Sequence, residues 1–180
     1  MKANMMTFEI APVGLSAYFV LAGIVLFAAC APLFWLNKDG IAVSMQKSLI
    51  ALVITAPIIL GIAYTMHDNA FDLQGKNVLV RADYFYRYER SLDELDLSRA
   101  QIGSYQSIPA AQLHLRRNGL GLPGMQAGHF STQDGKAIFA AMTDQTQVLY
   151  LPAKSGASLL VSVQNPSAVL DALKRAQSEV

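Results

Sequence analysis

The sequence predicts an α+β protein in which two N-terminal transmembrane helices precede a mainly antiparallel β domain closed by a C-terminal helix. Three observations carry this expectation. Residues 10–37 and 48–66 contain no charged side chain. From His67 onward the chain takes up the polar alternation of a folded, water-facing domain. Near its end, Asn165-Pro166 opens a short amphipathic stretch. The expected division is an anchor over residues 1–66 and a domain over residues 67–180.

The totals agree with that division. The 180 residues are 53% hydrophobic and 15% charged, whereas a soluble domain carries about 25% charge. The deficit lies in the first third of the chain. Beyond residue 66 there are eleven basic and eleven acidic side chains. A neutral domain argues against nucleic acid as a partner, which calls for a basic stripe. The one cysteine, Cys30, excludes a disulfide framework within the chain and a cysteine-based zinc site.

The first span is expected over about residues 14–36, with Tyr18 near one end and Phe34 and Trp35 near the other, since aromatic rings favour the headgroup level. Pro32 is placed to bend its last turns. Asn37-Lys38-Asp39-Gly40 reads as a turn. The second span is expected over about residues 48–66, with Pro57 near its middle inviting a kink. Its uncharged run corresponds to about 28 Å of helix, close to the thickness of a bilayer core. Ala29-Cys30-Ala31 looks like a processing site, and Phe27-Ala28-Ala29-Cys30 like a lipoprotein box. Against processing stand a thin positive n-region, in which Lys2 is followed by Glu9, and an apolar run longer than a signal's about 7–15 residues. Two spans put both termini on one side. Lys2, Lys76 and Arg81 flank the membrane there, and Lys38 and Lys47 mark the other side, so the positive-inside rule favours cytoplasmic termini.

The domain reads mostly as strand. Phe71-Leu73 and Val78-Arg81 flank a turn at Gln74-Asn77, and Tyr84-Tyr88 suits a third strand. Ser91 is placed to cap one helical turn with Glu94 three residues on. After a break at Gly103-Ser104, Leu113-Arg116 leads into a glycine-dense loop, Asn118 to Gly124. Ala137-Met142, Val148-Leu151 and Leu159-Val163 read as further strands. In the last helix Asn165 caps, Pro166 takes the first position, and Val169, Leu170 and Leu173 share a face. About seven strands and one helix suggest a strongly bent sheet or split barrel with the helix plugging one end.

The stretch Arg116-Arg117-Asn118-Gly119-Leu120-Gly121-Leu122-Pro123-Gly124, then Gly128-His129-Phe130, resembles the bacterial membrane proteins that end in a PH-like domain. Lys136-Ala137, Thr143-Asp144, Val148 to Pro152, Leu159 to Ser162 and the Asn165-Pro166 helix fit the same resemblance, as does the two-span leader. It implies a PH-like split barrel: two nearly orthogonal antiparallel sheets capped by a C-terminal helix. It implies a bacterial inner-membrane location and carries no catalytic residue. His129 stands where the family is expected to hold a tryptophan.

Candidate sites follow from residue type. The glycines of the loop (Gly119, Gly121 and Gly124) allow close backbone approach. A phosphate cradle would need a following helix and a Lys-Ser or Lys-Thr pair, and neither is legible, so the reading is a sharp loop or a contact for a partner or lipid headgroup. Lys76, Arg81, Arg87, Arg116 and Arg117 are candidates for an anionic-lipid patch. His67, His114 and His129 lack metal-ligand spacing, and His129 beside the glycines is the one candidate for enzyme chemistry. Asp93, Glu94 and Asp96 read as a solvated turn. One face of the Tyr84-Tyr88 run is a candidate for docking on the membrane or a protein. The expectation is a binding or scaffolding module, without cofactor or metal. Its partner is the lipid bilayer together with a membrane protein or a second copy, Ala22, Gly23 and Gly61 permitting close helix approach. The alternatives are a headgroup sensor and an accessory subunit.

Overall fold

A computed structural model describes residues 5–35, 38 and 40–178. Lys2, Leu36, Asn37 and Asp39, which enter the reading of the spans and their connection, lie outside the described residues.

The two apolar runs form a helical hairpin. Helix α1 covers Leu15–Cys30 and tightens into a 3-10 segment over Ala31–Trp35. Helix α2 covers Ile41–Thr65, beginning seven residues before its expected start and running through Pro57. Both are long and apolar enough to cross a membrane, and their most apolar stretches are 11% and 0% buried. A core helix of a soluble protein would instead be enclosed by its own chain.

Among the described residues ten strands build the rest. Strands β1 (Met5–Phe8), β2 (Ala70–Gln74), β3 (Asn77–Ala82) and β4 (Tyr86–Ser91) form a four-stranded antiparallel sheet in that order. Strands β5 (Gln101–Gly103), β6 (Leu113–Leu122), β7 (Met125–Thr132), β8 (Ala137–Met142), β9 (Val148–Leu151) and β10 (Ser158–Val161) form the second sheet, ordered β5-β9-β10-β8-β7-β6. All its pairs are antiparallel except β8 with β10, which run parallel. The sheets do not close into a barrel.

The first strand joins the segment before the helices to the strand that follows them. Met5–Phe8 precedes the helices yet pairs with β2, which follows them, from Met5 opposite Gln74 to Phe8 opposite Phe71. Ile10 then bridges to Val163, and the Ala11 N–H donates to the Ser162 carbonyl at 2.8 Å. The segment before α1 is therefore stitched to both sheets. The helical hairpin connects two neighbouring, paired strands of the first sheet. Cleavage after Ala31 would remove β1 from its sheet.

The second sheet explains why its strands read as continuous apolar runs. Phe139, Ala141, Leu149, Leu151, Leu159 and Val161 face the main core. Ile138, Ala140, Met142, Val148, Tyr150 and Leu160 alternate with them and face a second cluster with Ile108, Ala111 and Phe130. Two 3-10 turns, Tyr105–Ser107 and Pro109–Ala111, cover that second face. Helix α3 (Pro166–Ser178) buries Val169 and Leu173 in the main core. The Ala168 N–H donates to the Asn165 side chain at 3.1 Å, the cap the sequence predicts. Ser91 likewise accepts from the Asp93 N–H at 3.4 Å at the head of a 3-10 turn, Leu92–Glu94.

Candidate functional site

The helices join the β body at a rim made of the ends of β2, β3, β6 and their turns. Ala17 and Leu21 of α1 and Met66 at the end of α2 are buried in the main core, so the core continues into the feet of the hairpin. The Tyr18 hydroxyl lies 3.1 Å from His67 Nε2, and the two rings stack. Ser16 donates to the Pro123 carbonyl at 3.1 Å, tying the β6–β7 turn to α1.

A polar network links the end of α2 to the β3–β4 turn. The Asn69 amide donates to the Met66 carbonyl, and its oxygen accepts from the Asp83 N–H at 2.9 Å. Asp83 has φ 59°, a conformation uncommon for a side-chain-bearing residue. Its carboxylate accepts from the Tyr84 N–H at 2.7 Å, which holds the turn. Nearby, buried Asp72 accepts from Thr7 of β1 at 2.7 Å, and Arg81 lies 3.6 Å from Asp68 and 4.0 Å from Asp72.

The basic candidates are dispersed. Lys76 lies in the turn at the opposite end of β2 from the helices, about 16 Å of strand away. Arg81 is at the rim but engaged by two carboxylates. Arg87 is exposed on β4 directly opposite Arg81. Arg116 and Arg117 are exposed on β6, the open edge of the second sheet. Register shifts leave His114 and Arg117 without residues opposite them, as β-bulges do.

The glycine run is strand and turn rather than a loop. Gly119 and Gly121 belong to β6, and the chain reverses at Pro123-Gly124, where Gly124 has φ 82°. Gly119 pairs with Gly128. A Cβ on Gly119 would lie 2.5 Å from the Ala127 carbonyl oxygen. One on Gly128 (φ 112°) would lie 2.5 Å from the Asn118 carbonyl oxygen and 3.1 Å from Tyr86 Cδ1. Close packing accounts for this glycine pair.

The Tyr84-Tyr88 run is not one strand. Tyr84 and Phe85 lie in the turn, and β4 begins at Tyr86. Tyr88 is buried, and its hydroxyl donates to the Ala157 carbonyl at 2.9 Å; burial pushes that hydroxyl's pKa well above its ordinary value. His129 packs edge to face on Phe139, ring centroids 5.1 Å apart. His67, His114 and His129 are not brought together. Among the described residues no group of three His, Cys, Asp or Glu could hold a metal. Glu94 pairs with Arg90 at 2.7 Å, and Asp96 accepts from Ser98 at 2.6 Å, which holds its carboxyl below the usual range.

The residues at the junction that sequence reading missed are Thr7, Asn69, Asp72 and Asp83. Their signal was faint: polar side chains beside the ends of the apolar runs, with partners up to 65 positions away.

Along the hairpin, a groove of about 470 Å³ runs between α1 and α2. Ala22, Ala29, Ala56 and Ala63 supply its small side chains. No protein-family model, curated protein or solved structure matches the chain.

Proposed function

We propose that this chain is a membrane-anchored binding or scaffolding module, a PH-like β body held on the cytoplasmic face of a bacterial inner membrane and serving a protein partner. One observation carries the reading: β1 and β2, on either side of the helical hairpin, pair with each other, so both feet of the anchor are fixed in one β body. Such a body has a set orientation above the bilayer, which is what a scaffold needs. The dispersion of the cations favours a protein partner over headgroup sensing, because Lys76 is remote from the helix feet and Arg81 is neutralised. The open β6 edge is the surface we assign to the partner, through strand pairing or its exposed Leu115.

The test is site-directed photocrosslinking in native membranes from a probe at Leu115 of the full chain. A discrete adduct, lost when Arg116 and Arg117 are both replaced by Glu, supports the reading. Absence of any protein adduct, with binding instead set by anionic lipid and weakened by salt, supports the headgroup sensor.

The apolar groove favours a second reading, an accessory subunit or homo-oligomer joined through the helices. Small side chains let helices approach closely within lipid. A crosslink from a probe at Ala56, but none from Leu115, selects this alternative.

A further inference from the structure

We propose that the β3–β4 turn is a third membrane contact, with Tyr84 and Phe85 forming a wedge that enters the interfacial layer beside the foot of α2. The proposal rests on reading α1 and α2 as membrane-spanning. Tyr84 and Phe85 are 65% and 70% exposed, their rings edge to face with centroids 5.5 Å apart. Their position is set by the topology. Ala70, just after α2, pairs with Arg81, so the end of β3 lies level with the foot of the helix. Tyr84 shares a cleft with Tyr64, Thr65, His67 and Asp68.

Two other turns of the β body make the contrast. Gln74-Gly75-Lys76-Asn77 joins β2 to β3, and Gln133-Asp134-Gly135-Lys136 joins β7 to β8. Both have the glycine and polar residues that suit a turn in water. The β3–β4 turn instead carries two large rings and no glycine. Asp83 takes the positive φ itself, at a steric cost, and is held there by Asn69 and thereby by the end of α2. The network presents the rings rigidly at the level where the chain leaves the membrane. Tyrosine suits that layer, having an apolar body and a polar tip. Continuity with the helix end selects lipid over protein as the occupant.

The test uses full-length protein in phosphatidylcholine vesicles containing acyl-brominated lipid. Trp35 is the only tryptophan in the sequence, so a Trp35→Phe background isolates a reporter placed by Phe85→Trp, or by Tyr84→Trp should the first variant fold poorly. Phe27→Trp reports the middle of the apolar helical stretch Leu15–Trp35, and Lys76→Trp the β2–β3 turn. The proposal expects about a twofold loss of emission at position 85 with bromines near the headgroup boundary, the depth of about 5–10 Å typical of interfacial side chains. Position 76 should be unaffected. If position 27 is quenched and positions 84 and 85 match position 76, the wedge is refuted and the membrane reading stands. If position 27 is also unquenched, both fall. Shielding of position 85 from aqueous iodide in native membranes but not in pure vesicles would mean that a protein covers the turn, which also refutes the proposal.

Discussion

In the helical hairpin the large apolar side chains point away from the protein: Phe19, Phe27 and Leu60 are 74%, 70% and 69% exposed. In the β body, Phe71, Phe139 and Leu159 are fully enclosed. The two regions draw on similar side chains and orient them oppositely: the hairpin, long and apolar enough to cross a membrane, turns them outward, and the body encloses them in its own core. Ala17, Leu21 and Met66 mark the changeover, where helical residues pack into the β core. An outward-facing apolar helix surface and an enclosed core meet within about one turn.

Two substitutions should separate the regions. Phe71→Ala empties a site at the centre of the body, where Phe71 also meets Phe8 of β1 edge to face with centroids 5.9 Å apart. Its cost should be about 3–5 kcal/mol. Amide exchange over β1 to β4 should accelerate while the protein stays in the membrane fraction after alkaline extraction. Ile24→Arg places a charge near the middle of α1, at a cost of about 2.5–3.5 kcal/mol to insertion. It should release protein from the membrane fraction. If Phe71→Ala releases the protein, or Ile24→Arg leaves retention intact, the contrast between the regions is broken.

A third change sharpens the picture within the body. Gly128→Ala forces a side chain into a positive φ and against the Asn118 carbonyl oxygen and Tyr86. A loss of about 1–3 kcal/mol is expected, read as earlier thermal unfolding in reconstituted protein. Gly135→Ala keeps a positive φ but meets open space, so it should lose less.

How much of this was legible follows from the range of each interaction. The two long apolar helices were readable because an uncharged run of that length is visible in the sequence itself. The α3 cap was readable because Asn165 and Ala168 are three residues apart. The placement of β1 was not, since Thr7 and Asp72 meet across the entire hairpin. The glycines around Gly119 looked like a loop, because a strand that needs close approach and a turn that needs positive φ call for the same residue. Tyr84 and Phe85 looked like strand, because aromatic propensity does not distinguish a pleated core from an exposed turn. The basic candidates were chosen by charge alone. Sequence cannot show that Arg81 is already paired, or that a register shift sets Arg117 apart from its neighbours.

The smallest effect concerns the β7–β8 turn, which the comparison assigns wholly to water. Asp134 accepts from Lys136 at 2.7 Å and from the Thr132 hydroxyl, and these bonds lower its pKa from 3.8 to about 2. A carboxyl whose pKa is depressed by folding adds stability above its unfolded value and loses it as pH falls through the folded value. Wild type should therefore unfold at a slightly higher temperature than Asp134→Asn above about pH 4, with the difference closing as pH falls toward 2. Because the pair is at the surface, salt should shrink the difference, as it does for other exposed ion pairs. A difference that persists unchanged at pH 2, or ignores salt, would mean that this turn is shielded from water and would move it to the other side of the comparison.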